Sequence, residues 1–451
     1  MRAASLIARA LPALAGAAAL ALAAQAGAQD LQQVYRDAKG YDAQFAAARF
    51  ALQAGLEKLP QGRALILPSL SLTSNATSNR IDNYARNALT APTLRDLHSY
   101  GYSLSFSQPI YRPQNLLQYS QGEMQAKQAE AVFGQANQDL IVRVAQAYFD
   151  VLAAQDTLAL VQAQKAAISE QLAQAKRNFE VGTATITDTH EAQARYDLSS
   201  AQEIAAQSDL ENKRRALQQI TGKEYAGLRP LRAEVKLSPP NPANMQSWVE
   251  IAEKQGYPVQ IQEAATEIAS LEAKRNAAAH KPTVDLVASY GTTSQTGSTV
   301  IPTAGSSIVT SGSFGLQLGV PLYAGGALNS REREAVALHE KSKQDLENAR
   351  RTQALTARQT YLSVINGVAQ VGALEQALVS SQSALDSNKL GYEVGVRINI
   401  DVLNAQQQLY STRRDLAVAR YNTITGHLRL KAAAGSLREE DLEEVNRALA
   451  P

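Results

Sequence analysis

The chain has 451 residues, 44 Lys+Arg against 42 Asp+Glu, and no cysteine. Zero cysteine excludes disulfides, thiolate metal sites, a cysteine nucleophile and a lipidated N-terminal cysteine, and the near-balance of charge excludes a basic nucleic-acid binder. Hydrophobic residues reach 45% but aromatics only 6%; alanine carries much of the apolar count and buries little area per residue, so long, closely packed helices are expected rather than a thick globular core.

In chain order, residues 1–28 read as a signal peptide: Arg2 and Arg9 form the charged start, an apolar run follows from Leu11 to Ala24, and Ala26-Gly27-Ala28 is an A-x-A cleavage site. The run is short for a membrane span of about 20 residues. Its removal leaves 42 bases against 42 acids. No later stretch reads as long and apolar enough for a transmembrane helix, so entry into a membrane requires strands closed into a barrel. Residues 29–222 form a first unit: a helical segment over 31–59, Pro68, two strands near 68–80 and 99–111 around a polar loop, a long helical stretch over 115–179, the Val181-Gly182 turn, and a return helix ending at Gly222 as a C-cap. A linker over 223–244 contains Ser238-Pro239-Pro240-Asn241-Pro242, which cannot be helix interior. Residues 245–435 repeat the order: helix over 245–279, Pro282, strands near 282–292 and 312–323, a long helix over 328–392, the Val394-Gly395 turn, and a helix to Gly435. Residues 436–451 are a tail.

The order repeats because the sequence does. Glu180-Val181-Gly182 recurs as Glu393-Val394-Gly395, 213 residues on, and the same shift carries Asp188 to Asp401, Ala192-Gln193 to Ala405-Gln406, and Gly222 to Gly435. Pro109-Ile110-Tyr111 returns as Pro321-Leu322-Tyr323 at a shift of 212.

The strand runs alternate with period two. Tyr100, Tyr102, Leu104 and Phe106 oppose Ser99, Gly101, Ser103, Ser105 and Ser107; Phe314, Leu316, Leu318, Val320 and Leu322 oppose Ser313, Gly315, Gln317, Gly319 and Pro321. Val284, Leu286, Ala288 and Tyr290 repeat the pattern, and Leu70 and Leu72 begin a weaker version. A soluble antiparallel sheet with one face on a core is the commoner source of such alternation. Here the opposing faces are Ser, Thr, Gly and Gln, which suit a water-filled lumen, and runs of about 9–11 residues cross an outer membrane when tilted. Four strands cannot close a barrel, since the smallest use about eight, and open edges in lipid are prohibitive. Membrane strands in this number require several chains to share one barrel. Each long helical stretch, about 65 residues at 1.5 Å, makes a rod of roughly 100 Å. Within the first, Ile141, Val144, Tyr148, Val151 and Leu158 trace a coiled-coil type seam; the rest is Ala, Gln, Asn, Ser and charge, as fits one helix in a wall of helices.

These residues resemble the TolC family of trimeric outer-membrane channel-tunnels. The resemblance covers essentially the whole mature chain. It is carried by Leu67-Pro68-Ser69-Leu70-Ser71-Leu72 before the first strand, the paired Pro-x-Tyr strand exits, and the two turns Phe179-Glu180-Val181-Gly182-Thr183-Ala184-Thr185-Ile186-Thr187-Asp188 and Gly391-Tyr392-Glu393-Val394-Gly395-Val396-Arg397-Ile398-Asn399-Ile400-Asp401. It implies a mainly α fold with a small β part: long antiparallel helices forming an α-barrel tunnel, and four strands per chain contributed to a shared 12-stranded transmembrane β-barrel in a homotrimer. Residues 223–244 and 436–451 become an equatorial belt. The implied role is a passive, non-enzymatic exit duct for efflux or type I secretion in the Gram-negative outer membrane, surrounded by outer-membrane lipid and extending into the periplasm. The implied partners are a periplasmic adaptor (membrane fusion) protein and an inner-membrane transporter of ABC or RND type.

The resemblance also implies a gate. In the family a tyrosine and an arginine of the second hairpin tie to a Thr-Asp pair of the first; the matching residues are Tyr392, Arg397, Thr187 and Asp188. Asp401 matches the first position of an aspartate ring at the entrance, and Asn404 stands where the best-known member has a second aspartate, so strong cation block is not expected. Val181, Gly182, Val394 and Gly395 would form the tip and an adaptor docking surface. On their own, Asp188 and Asp401 also suit the first turns of the return helices, the two Val-Gly turns suit helix ends, and an Arg–Asp pair suits an ordinary surface contact worth about 0–1 kcal/mol.

No H-E-x-x-H, G-x-x-x-x-G-K-[ST] or G-x-S-x-G motif occurs, and His98, His190, His280, His339 and His427 have no ligand spacing. The reading therefore holds no catalytic, metal or cofactor site. An exported helical structural or adhesive protein of filament type is the alternative, but it does not need alternating runs placed twice at equivalent positions. A periplasmic adaptor with one helical hairpin does not account for the duplication.

Overall fold

The computed structural model describes residues 28–83, 93–232, 235, 237–296 and 305–450. Apart from Ala28, the expected signal peptide lies outside the described residues. In chain order the elements are α1 (Leu31–Tyr41), α2 (Ala43–Leu56), α3 (Lys58–Ala64), β1 (Ser69–Asn83), β2 (Thr93–Tyr111), α4 (Pro113–Glu180), α5 (Ile186–Thr221), α6 (Met245–Gln255), α7 (Tyr257–Ala277), β3 (Thr283–Gln295), β4 (Ser307–Gly319), α8 (Ala327–Glu393), α9 (Asn399–Ala433) and α10 (Glu439–Arg447). They divide into two compact units. Of the described residues, one unit comprises those within 51–131 and 260–348; the other comprises those within 28–50, 132–259 and 349–450.

The first unit holds the sheet, ordered β1-β2-β3-β4 and antiparallel throughout. Its strands are longer than the expected 9–11 residues, at 15, 19, 13 and 13. The fourth strand runs over Ser307–Gly319 rather than 312–323. Period-two alternation continues through Val320 and Leu322, but the ladder stops where Thr283 meets Gly319, and Pro321 has no N–H to extend it. A register shift between Pro109 and Tyr111 precedes the last β2–β3 pair, Tyr111 with Val284. There Arg112 Nε and Nη2 donate to the two carboxylate oxygens of Asp285, 2.7 and 2.5 Å away, which clamps the base of β3 to the start of α4.

The second unit is helical. Leu31, Val34, Tyr35 and Ala38 of α1 recur at helical spacing and are buried. They join Ile141, Val144, Tyr148, Phe149 and Val151 of α4 and Tyr421 and Leu428 of α9 in one core. The Tyr148 hydroxyl donates to the Gln29 and Arg229 carbonyls at 3.1 and 2.9 Å, so a buried polar group finds its partner on the linker. Short bridges pair Gln29 with Leu228 and Leu231 with Leu449. The tail packs back through buried Leu437, Leu442 and Leu449 and through Lys431 on Asp441 at 2.8 Å.

Among the described residues one helix, α8, contains a stretch long and apolar enough to cross a membrane by length and composition, which corrects the expectation that no later segment is. Two of its valines pack against α9: Val364 is buried with Tyr361, Leu430 and Ala434, and Val371 with Leu416 and Ala419.

Candidate functional site

The sheet's register decides which residues share a face. Leu70 pairs with Phe106, Leu72 with Leu104, Phe106 with Ala288, Leu104 with Tyr290, Leu286 with Leu316 and Ala288 with Phe314, so the apolar halves of all four strands fall on one side. That side is open: Phe314 is 78% exposed, Leu316 71%, Leu72 71% and Tyr290 56%. An apolar face of this extent is not left to water. The other side carries Ser71, Thr73, Ser103, Ser105, Ser289, Thr293, Ser311 and Ser313 at paired positions. Among the described residues the outer strands β1 and β4 each have one neighbour only, so the sheet ends on two unpaired edges.

The two hairpin tips are built alike. Helix α4 ends in a Schellman turn: Gly182 N–H donates to Phe179 C=O at 3.0 Å and Thr183 N–H to Asn178 C=O at 2.8 Å. Helix α8 ends the same way, with Gly395 N–H to Tyr392 C=O at 3.1 Å and Val396 N–H to Gly391 C=O at 2.9 Å. Both turn glycines sit at positive φ, 76° and 79°, where a Cβ is strained. Val181, Val394, Val396 and Ile398 around them are exposed.

The first return helix is capped by its own box. Thr185 Oγ1 accepts from Asp188 N–H at 3.3 Å, and Asp188 Oδ2 accepts from Thr185 N–H at 2.9 Å and from its hydroxyl at 2.8 Å. Asp188 is thus a capping residue here, and Thr187 beside it is exposed. In the second hairpin Arg397 lies 3.7 Å from Asp401, one turn along. Within the chain the four expected gate residues are therefore not joined to one another; each second-hairpin residue has a different partner. Tyr392 does cross between hairpins: its hydroxyl accepts from Asn178 Nδ2 at 3.1 Å.

Near the tips two further side-chain links join the hairpins, and the sequence analysis names neither. Gln171 Nε2 donates to Asn399 Oδ1, and Asn399 Nδ2 reaches the Asp188 carbonyl at 3.4 Å. Gln171 and Asn399 are 7% and 1% exposed, beside an apolar seam of Ile168, Leu172, Ala175, Ala192 and Leu403. Arg195 Nη1 and Nη2 donate to Gln407 Oε1 and Asn404 Oδ1 at 2.6 and 2.9 Å. A signal existed for some of them: at the repeat shift of 213, Asn399 stands opposite Ile186, Gln171 opposite Ala384, and Tyr392 opposite Phe179. Polar groups added in one copy alone mark contacts between unlike copies.

Among the described residues no cluster of His, Asp and Glu suits a metal ion. The Outer membrane efflux protein family matches residues 34–223 and 258–436. The chain belongs to this family. It is 34% identical over 442 residues to the outer membrane protein TolC of Vibrio cholerae, covering 97% of this chain and 98% of that one. It is also 34% identical over 439 residues to the alkaline protease secretion protein AprF of Pseudomonas aeruginosa, covering 95% and 89%. The solved outer membrane protein VceC of Vibrio cholerae superposes with a TM-score of 0.75 at 18% identity, covering 90% and 96% of the two chains, and so shares the fold. As a family member this chain is a channel protein of the Gram-negative outer membrane extending into the periplasm, of the efflux and type I secretion class, and not an enzyme.

Proposed function

We propose that three copies of this chain build one continuous duct. The carrying observation is the sheet: an exposed apolar face on one side, serines and threonines on the other, and two unpaired edges. Lipid satisfies the first, a water-filled lumen the second, and pairing of β4 of one copy with β1 of the next the third, giving twelve strands. The long helices of three copies continue the duct as a tunnel, encircled by residues 223–244 and 436–451. A periplasmic adaptor docks on the exposed valines of the tips, Val181 and Val394, at the turns made by Gly182 and Gly395. An inner-membrane transporter supplies the energy and selects the cargo. After removal of residues 1–28, residues 29–222 and 245–435 act as two equivalent wall segments.

The mouth lies at the tips. Tyr392 and Arg397 hold the second hairpin against Thr187 and Asp188 of the first in the closed state, and the Asn178–Tyr392 hydrogen bond supports such a cross-tie. Asp401 faces the entrance with Asn404 one turn on. Combined Tyr392→Phe and Arg397→Ala substitutions should raise closed-state conductance in planar bilayers. Wild-type conductance from an intact double variant counts against the gate.

A further inference from the structure

We infer that Arg195 is a specificity-determining residue of the mouth, opposing Asp401 in the choice between cations and anions. The inference rests on the proposal that the first turns of α9 line the entrance. Arg195 belongs to α5 and reaches across to α9, where its guanidinium spans Asn404 and Gln407 at 2.9 and 2.6 Å. These two acceptors lie three residues apart on one helix face, and both are exposed. Both are neutral, so they orient the charge without cancelling it. Asp401 is placed differently: Arg397 lies 3.7 Å from its carboxylate and offsets part of its field. Asp188, in the first turn of α5, accepts from Thr185 in the capping box. The entrance therefore carries a partly compensated acid and, one turn along α9, a fixed base.

Two consequences follow for a threefold mouth. Three Arg195 side chains around one axis repel cations that three Asp401 side chains attract. An aspartate introduced at position 404 meets a guanidinium already aimed at it, so it forms an ion pair rather than a free acidic ring. The departure from aspartate at Asn404 is thus matched by a base on the neighbouring helix.

The test is the potassium-to-chloride permeability ratio of the purified full-length mature protein in planar bilayers under a potassium chloride gradient. Arg195→Gln keeps a donor for Asn404 and removes the charge; the ratio should rise at least about threefold near 0.1 M salt, where screening acts over roughly 10 Å. Arg195→Lys should keep the wild-type ratio. Asn404→Asp, which pairs with the guanidinium and cancels its charge, should raise the ratio to about the level of Arg195→Gln. If Arg195→Gln does not assemble, Arg195→Met takes its place: a raised ratio supports the inference and an unchanged ratio, with Asp401→Asn lowering it, overturns it. An unchanged ratio in Arg195→Gln, with Asp401→Asn lowering it, overturns the role of Arg195 and leaves the mouth reading intact. An unchanged ratio in both variants overturns the mouth reading, and the inference with it.

Discussion

Phe314 and Ser313 are adjacent on β4 and face opposite ways, which makes them a direct probe of what each side of the sheet touches. Phe314 is 78% exposed within the chain, so its replacement removes little intramolecular packing. Set in lipid, Phe314→Arg loses about 1.5–3 kcal/mol of apolar burial and costs a further ~2–4 kcal/mol for arginine near the bilayer midplane. Three copies sum to roughly 10–20 kcal/mol, comparable to the whole stability of a typical domain, about 5–15 kcal/mol. Ser313→Arg removes one hydroxyl contact, Ser289 Oγ to Ser313 Oγ at 2.8 Å, worth about 0.5–1.5 kcal/mol, and leaves the arginine in water. Outer-membrane fractions resolved by unheated gel electrophoresis should therefore contain assembled Ser313→Arg protein and essentially no assembled Phe314→Arg protein. Equal yields of the two, or a larger loss for Ser313→Arg, would refute the assignment of faces.

Asn399→Ala leaves Gln171 Nε2 without its acceptor at a site where both side chains are buried. The cost of about 1–3 kcal/mol per chain should raise closed-state leak current about tenfold or more if the link breaks on opening; the wild-type leak in an assembled variant would show that the link persists in both states. His427 is held below the usual histidine range, first by burial and then by the Lys431 ammonium, with Glu444 and the Ser238 backbone acting the other way. The unfolded imidazole, near 6.5, then takes up its proton before the folded one, so stability is complete above about pH 6.5 and falls as the pH drops towards the lower folded value. Thermal melts at pH 7.5 and 5.5 should show a smaller acid loss in His427→Gln than in the wild type; equal losses would contradict the sign.

The parts of the fold governed by local periodicity were legible in the sequence. The seam from Ile141 to Val151 is buried, and the alternation of residues 99–107 matches the two sides of β2. The end of β4 was not legible, because Val320 and Leu322 keep the period after the partner strand has run out. The tip was legible in part. Val-Gly turns announce helix ends, and the sequence allows Asp188 both as a tie and as a helix start; the capping box with Thr185 is formed. The links from Asn178, Gln171 and Arg195 depend on which helix faces meet, and spacing along one helix carries no such information. Only the mismatch between the two copies, as with Asn399 against Ile186, hints at some of them.

The central claim is that the four strands of one chain are a third of a wall completed by two further copies in lipid. Sedimentation equilibrium of the mature protein purified from outer membranes, with the detergent density-matched, measures this directly. The account predicts a mass of three chains and precipitation when detergent is withdrawn; a single chain that stays dissolved without detergent would contradict it.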